Sequence, residues 1–198
     1  MVTEMIAKKK EEKKKKRVAW GITGSGDRLV ETIEIMKKIK EQYKNDVNII
    51  VYLSKAGDQV VKYYRQADYL KENFDKIRVE IDANTPFLAG QLQMGKFEFL
   101  LIAPATSNTV AKISTGMADT LLCNAAIMGL KGFVPVYIMP SDYKEGIVVT
   151  KLPNGRDFRL RIRKEDVEHV KKLAAMEDVF IVEKPGKIRQ VFKKHFKH

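Results

Sequence analysis

The sequence predicts an α/β protein: a parallel sheet covered by helices on both faces, a three-layer sandwich, followed by a C-terminal β-hairpin and helix. Three observations lead there. Apolar runs of strand length recur along the chain, and the strongest, FEFLLIA at residues 97–103, is nearly continuous rather than alternating, as a strand buried on both faces requires. Stretches with apolar residues at helical spacing separate these runs. The 198 residues are 44% hydrophobic and 31% charged, which suits one globular domain and excludes disordered, collagenous and disulfide-stapled classes.

Residues 18–23 form the first strand, which ends in the Gly-rich turn GITGSG; Leu29, Val30, Ile33, Met36 and Ile39 then mark a helix. A second buried strand spans residues 47–53, with a helix over 58–70 and a third strand at 76–81. The fourth strand, 97–103, leads into a helical stretch over 109–130, and the fifth is 133–139. After Pro140 the texture changes. Two β-rich runs, 147–150 and 158–162, flank Asn154-Gly155, a hairpin signal, so an extension is expected at about 146–163. Residues 163–176 then read as a helix with Val167, Val170, Leu173 and Ala174 on one face, before a short last strand at 179–182.

The net charge of +12 is concentrated at the ends. Residues 1–17 carry eight basic against three acidic residues, and 184–198 carry six basic and none acidic, so the body is nearly neutral. The chain therefore divides into a basic N-terminal tail (1–16), a single domain (17–183) and a basic C-terminal tail (184–198). Such runs fit solvated tails or a docking surface for an acidic macromolecule. Nucleic acid is not expected, because no aromatic-interleaved basic motif accompanies them. Cys123 is the single cysteine, which rules out an intrachain disulfide or a Cys-rich metal site. No uncharged apolar run approaches the roughly 20 residues of a membrane span, and no signal-peptide pattern opens the chain, so a cytoplasmic protein without membrane contact is expected.

Chemistry begins at Gly21–Gly26. Glycines let backbone amides approach an anion, a helix N-terminus adds donors, and Thr23 and Ser25 add hydroxyls; the same pattern also suits a tight structural turn. No Gly-Lys-Ser/Thr follows, so nucleoside triphosphate hydrolysis is unsupported. The second strand ends in Ser54-Lys55 rather than in an acid for ribose hydroxyls, which favours a ligand with a terminal phosphate over NAD. The fourth strand ends in PATSNT, Pro104 to Thr109, followed by Lys112 and by GMADTLL, Gly116 to Leu122. Four consecutive short polar residues exceed what one helix cap needs.

PATSNT with GMADTLL resembles the PASANT and GxADNLL signatures of the flavoprotein superfamily of homo-oligomeric flavin-containing cysteine decarboxylases. That superfamily also holds phosphopantothenoylcysteine decarboxylases, flavin prenyltransferases and archaeal dihydromethanopterin reductases. GITGSG matches its first phosphate-side loop, and RDFRLRIRKEDVEHVKKL is most similar to its archaeoflavoprotein branch. The resemblance, over residues 17–140, implies a Rossmann-like (flavodoxin-like) fold and FMN bound at a subunit contact in a trimer or multiple of trimers. Carried over by position, Thr23, Gly24, Ser25 and Ser54, with Gly26 in the same loop, would hold the ribityl phosphate end. Thr106, Ser107, Asn108 and Thr109, beside Ala105, would hydrogen-bond the flavin and its ribityl chain. Asp119 matches the family aspartate, whereas Thr120 replaces the usual Asn.

Departures from the pattern narrow the expected reaction. Decarboxylases carry a histidine between the third and fourth strands, and residues 84–95 contain none. Their Pro-x-Met-Asn clamp is replaced by Met139-Pro140-Ser141-Asp142-Tyr143, and the prenyltransferase Pro-Cys-Ser turn by Pro104-Ala105-Thr106. The expectation is therefore an FMN-dependent oxidoreductase of archaeal type, an electron-transfer flavoprotein reduced by ferredoxin or a similar acidic donor, with no catalytic acid or base and no metal. A dihydromethanopterin (pterin) reductase is the alternative; decarboxylase, prenyltransferase and non-catalytic binding readings rank below it. His169, His195 and His198 are expected to be exposed without catalytic work, Trp20 and Cys123 to be core, and Tyr63, Tyr64 and Tyr69 to be surface or core.

Overall fold

The computed structural model describes residues 15–196, so nearly all of the expected N-terminal tail, 1–16, lies outside the described residues. The order begins β1 (Lys16–Ile22), α1 (Leu29–Gln42), β2 (Val47–Leu53), α2 (Lys55–Tyr63), α3 (Ala67–Asn73) and β3 (Ile77–Val79). It continues α4 (Leu88–Gln93), β4 (Leu100–Ala105), α5 (Ser107–Ser114), α6 (Leu121–Lys131) and β5 (Val136–Pro140). Last come the hairpin β6 (Gly146–Lys151) and β7 (Asp157–Ile162), then α7 (Lys164–Ala174), β8 (Val179–Ile181), a 3-10 turn (Pro185–Lys187) and α8 (Ile188–His195).

Six strands form one parallel sheet in the order β3-β2-β1-β4-β5-β8. The chain moves outward from β1 to β3 and returns to lay β4 on the other side of β1, the Rossmann-like arrangement. Strand ends on either side of that reversal diverge, and open α/β sheets take their ligands in the resulting crevice.

Side-chain alternation sorts the core into two layers. Val18, Trp20 and Ile22 of β1 face a cluster containing Ile33 and Met36 of α1 and Ile188 and Phe192 of α8. Ala19 faces the opposite cluster, with Leu92 of α4, Ile113 of α5, Leu122 of α6 and Leu173 of α7. Trp20 is core as expected: it is fully buried, donates its indole N–H to the Ala103 carbonyl at 2.8 Å and packs on Phe74. Cys123 is likewise buried, and its desolvation pushes the thiol pKa up.

Several elements differ from expectation, each for an identifiable reason. The helix expected over 58–70 is two helices, because Arg65 adopts a left-handed conformation (φ 56°). The stretch 109–130 is split at Gly116 (φ 78°) into α5 and α6, and the loop between them carries Asp119. The short helix α4 was not expected. Ala174 is exposed rather than part of the buried face of α7.

The largest correction concerns residues 184–198. Through Phe196 this stretch is no tail: Ile188, Val191, Phe192 and Phe196 recur at helical spacing and are buried, while Lys187, Arg189, Lys193 and Lys194 stay exposed. His198 lies outside the described residues. His169 and His195 are half-buried rather than exposed, and each has a partner: Nδ1 of His169 lies 2.8 Å from Ser114 Oγ, and Nε2 of His195 lies 2.8 Å from the Tyr137 hydroxyl.

Burial, helped by the Lys194 charge, holds the His195 pKa below its ordinary 6.5. Between the native and unfolded values the unfolded chain then binds more protons, so this group's contribution to stability is whole above the ordinary value and lost as pH falls toward the native one. The urea midpoint is expected to drop on acidification through that window and to drop less in His195→Gln; identical pH slopes in the two proteins would contradict the assignment.

Candidate functional site

The crevice at the carboxyl edge of the sheet has two adjoining lobes, of about 430 and 450 Å³, which share Gly24, Thr106 and Asn108 in their walls. The smaller is built from helix beginnings. Ser54, Thr106 and Thr120, the residues preceding α2, α5 and α6, all line it together with Lys55 and Lys112. Ser54 Oγ accepts the Gly57 N–H at 2.9 Å, and Thr106 Oγ1 accepts that of Thr109 at 3.2 Å. Three helix beginnings, which favour an anion, border one volume whose walls carry Lys55 and Lys112 together with Glu80 and Asp119.

Glu80, at the end of β3 and only 8% exposed, organises this lobe. One carboxylate oxygen accepts the Lys55 N–H at 3.0 Å and the other the Leu121 N–H at 2.9 Å, so a single side chain clasps the beginnings of α2 and α6. At the rim, Lys112 Nζ lies 2.7 Å from Asp119 Oδ2; this hydrogen bond raises the lysine pKa and lowers that of the aspartate.

The larger lobe has an aromatic and aliphatic wall. Tyr63 and Tyr64 extend from the end of α2, and the hairpin turns Val148, Phe158 and Leu160 toward them. The Tyr64 hydroxyl donates to the Lys151 carbonyl at 3.3 Å and ties the hairpin to the body. Its polar floor is Ser25, Asp27, Ser107, Ser141 and Asp142. Ser141 donates to Ser25 Oγ at 2.6 Å, and Ser107 Oγ donates to Asp142. Burial pushes the Asp27 carboxyl above its ordinary value; Arg28 opposes the shift and Asp142 adds to it. Between the lobes a Cβ on Gly24 would lie 2.7 Å from that of Ala56, so only glycine lets the β1 loop lie against α2.

The fold brings the expected residues together. Gly24, Ser54, Thr106, Asn108, Thr109 and Asp119 line the smaller lobe, and Ser25, Gly26 and Ser107 the larger. Ala105 is the exception: it is fully buried at the end of β4 and lines neither lobe, while its carbonyl accepts the Ser141 N–H at 2.9 Å. Tyr63 and Tyr64 border the cleft, whereas Tyr69 sits against Lys37.

Thr23 touches the smaller lobe but is 2% exposed, and its hydroxyl already donates to the Pro104 carbonyl at 2.9 Å and accepts the Thr106 N–H at 2.8 Å. It is a strut between β1 and β4. Thr23→Val removes the acceptor of a buried amide and is expected to lower stability by about 1–3 kcal/mol, with Thr23→Ser close to wild type; urea midpoints that coincide for Val and Ser would refute the strut.

Sequence reasoning missed Glu80 and Asp27 as site residues, noted Lys112 and Asp142 without assigning them a role, and read Lys55 only as a cation suited to a terminal phosphate. Position was the available signal: Glu80 directly follows a parallel strand and Asp27 follows the Gly-rich turn, so both fall on the binding edge.

A family model described as Flavoprotein matches residues 6–191. An uncharacterised protein of Methanocaldococcus jannaschii is 49% identical over 179 residues, covering 90% of this chain and 95% of that protein. A dihydromethanopterin reductase (acceptor) of the same organism is 30% identical, with 89% of this chain and 95% of the relative covered. Among solved structures, Burkholderia xenovorans DmrB in complex with FMN, described as a cubic protein cage for redox transfer, superposes with a TM-score of 0.77 at 29% identity, over 92% of this chain and 96% of that one.

Proposed function

The chain belongs to the Flavoprotein family, and we propose that it binds FMN across the two lobes and uses it to reduce a pterin-type acceptor. The observation that carries this reading is the division of labour in the crevice: an anion-attracting lobe beside a flat, aromatic-walled one, at the strand reversal. Lys55, Lys112 and the hydroxyls of Ser54 and Thr106 fit the phosphate, and three helix beginnings reinforce them. Ser25, Ser107 and Asn108 fit the polar edge of the ring system and ribityl chain. Held there, FMN supplies hydride and single-electron chemistry, which the surrounding hydrogen bonds tune. Tyr63, Tyr64, Phe158 and Leu160 form an apolar wall against which a planar acceptor can lie.

Support for the pterin acceptor comes from the relation to a dihydromethanopterin reductase, and it moves the reading from a pure electron carrier to the reductase alternative. An acidic one-electron donor of the ferredoxin kind fits the exposed cations of α8, Arg189, Lys193 and Lys194. Reduction by such a donor is expected to slow as salt screens that face. A homo-oligomer, a trimer or multiple of trimers, fits the apolar groups left in solvent on the hairpin, Ile147 (65% exposed) and Val149 (52%).

The test is anaerobic. Protein loaded with FMN and bleached by reduced ferredoxin should regain its visible flavin band when a dihydropterin is added, with tetrahydropterin as product. A band that bleaches but returns only with an artificial oxidant would restrict the protein to electron carriage.

A further inference from the structure

Among the described residues, the walls of the larger lobe include two carboxylates, Asp27 and Asp142, and no lysine or arginine, in a chain whose net charge is +12. The lysines of the crevice, Lys55 and Lys112, line the other lobe, where Glu80 and Asp119 accompany them. Nothing in the reading above uses Asp27. It sits in the turn that opens α1, where Arg28 is held in a left-handed conformation (φ 54°), a strained geometry that persists only when its surroundings fix it. Arg28 donates from Nη1 to the Glu183 carbonyl at 2.9 Å, and its Nε forms a long ion pair with Asp27 Oδ2 at 3.7 Å. The Asp27 side chain is 22% exposed, enough to exchange protons with water.

We propose that Asp27 is a catalytic residue whose carboxyl group delivers the proton that completes reduction of a C=N bond in the acceptor bound in the larger lobe. This rests on the reading of that lobe as the acceptor site of a flavin reductase. In the step the C=N π bond breaks, and a hydride equivalent from the reduced flavin forms a new C–H bond. The Asp27 O–H bond breaks, its proton forms N–H, and its electron pair stays on the carboxylate, which water then reprotonates.

The groups that act on Asp27 agree with this role. Burial is the main cause of the upward shift, so the acid form persists to higher pH than an ordinary aspartic acid. Arg28 opposes it, Asp142, from the loop after β5, and Glu31, from α1, add smaller contributions in the same upward direction, and the Tyr64 hydroxyl of the lobe wall also lies within electrostatic reach. Asp142, accepting from Ser107, is a positioning residue for that charge balance.

The experiment uses FMN-loaded wild type, Asp27→Asn and Asp27→Glu, with rates normalised to measured flavin content. Each is reduced anaerobically and mixed with dihydrobiopterin across a pH series. The expected result is reoxidation about 100-fold slower in Asp27→Asn, the scale of a lost general acid, with partial recovery in Asp27→Glu. The wild-type rate should fall as pH rises through the Asp27 titration, a limb missing in the Asn variant. Carboxyl NMR of the cofactor-free protein gives a second readout: Asp27 should titrate above an ordinary aspartate, and lower in Asp142→Asn. Wild-type rates in Asp27→Asn at every pH, or an ordinary Asp27 titration, would overturn the acid and leave the reductase standing. Reduced wild type that reacts with ferricyanide but not with dihydrobiopterin would overturn both.

Discussion

Replacing Phe192 by alanine is expected to lower the stability of the whole domain by about 3–5 kcal/mol, the usual cost of emptying a buried aromatic site. Phe192 is fully buried although it lies in a stretch with six cations in fifteen residues. Its ring meets Phe99 edge-on at 5.2 Å and Tyr43 at 5.9 Å, so it fastens α8 to both β4's approach and the end of α1. The gap left by truncation is bordered by parts of the sheet and cannot collapse by moving α8 alone. The neighbouring exposed Lys193→Ala should change stability by no more than about 0.5 kcal/mol. Urea unfolding of the two variants decides it: similar midpoints would mean that α8 is not integrated with the core.

Gly57→Ala is expected to be comparably harmful, and to reach the site as well. A Cβ at this position would lie 2.3 Å from the backbone carbonyl oxygen of Ile22, which cannot rotate aside as a side chain could. Relief requires α2 to move off β1, at a cost of about 3 kcal/mol, the upper part of the usual overpacking range. The displaced first turn takes Ser54 and Lys55 with it, because Ser54 Oγ accepts the Gly57 N–H. FMN affinity is therefore expected to fall along with the melting temperature. Gly90→Ala is the control: nothing lies within 4 Å of its Cβ, and in the helix interior the change should stabilise by about 0.5–1 kcal/mol. Equal effects at the two glycines would contradict the close approach of α2 to β1.

The parallel sheet was legible because each strand announces itself locally: FEFLLIA has no polar face to turn to water. The hairpin was legible for a similar reason, since Asn154-Gly155 marks its turn. Helix limits were harder. Arg65 carries no glycine signal for the left-handed turn that ends α2, whereas Gly116 did carry one, within a stretch that reads as helical on either side of it. In the C-terminal stretch the run of cations masked a periodicity that Ile188, Val191, Phe192 and Phe196 display plainly once the lysines are read as the solvent face of a helix. The Gly-rich turn and PATSNT were readable because their members are neighbours in sequence. Glu80 and Leu121, Tyr64 and Lys151, and Asp27 and Asp142 are each brought together only by the fold, over separations that no local pattern encodes.

In the proposed reading, one crevice holds FMN with its phosphate in the lysine-bearing lobe and its ring system in the aromatic one. A crystal structure of the protein grown with FMN tests this most directly. Phosphate density is expected against Ser54, Lys55 and Thr106, and the flavin ring beside Ser107 and Asn108, within reach of Tyr64 and Phe158. Flavin density in any other cleft, or a phosphate directed into the lobe of Asp27 and Asp142, would contradict it.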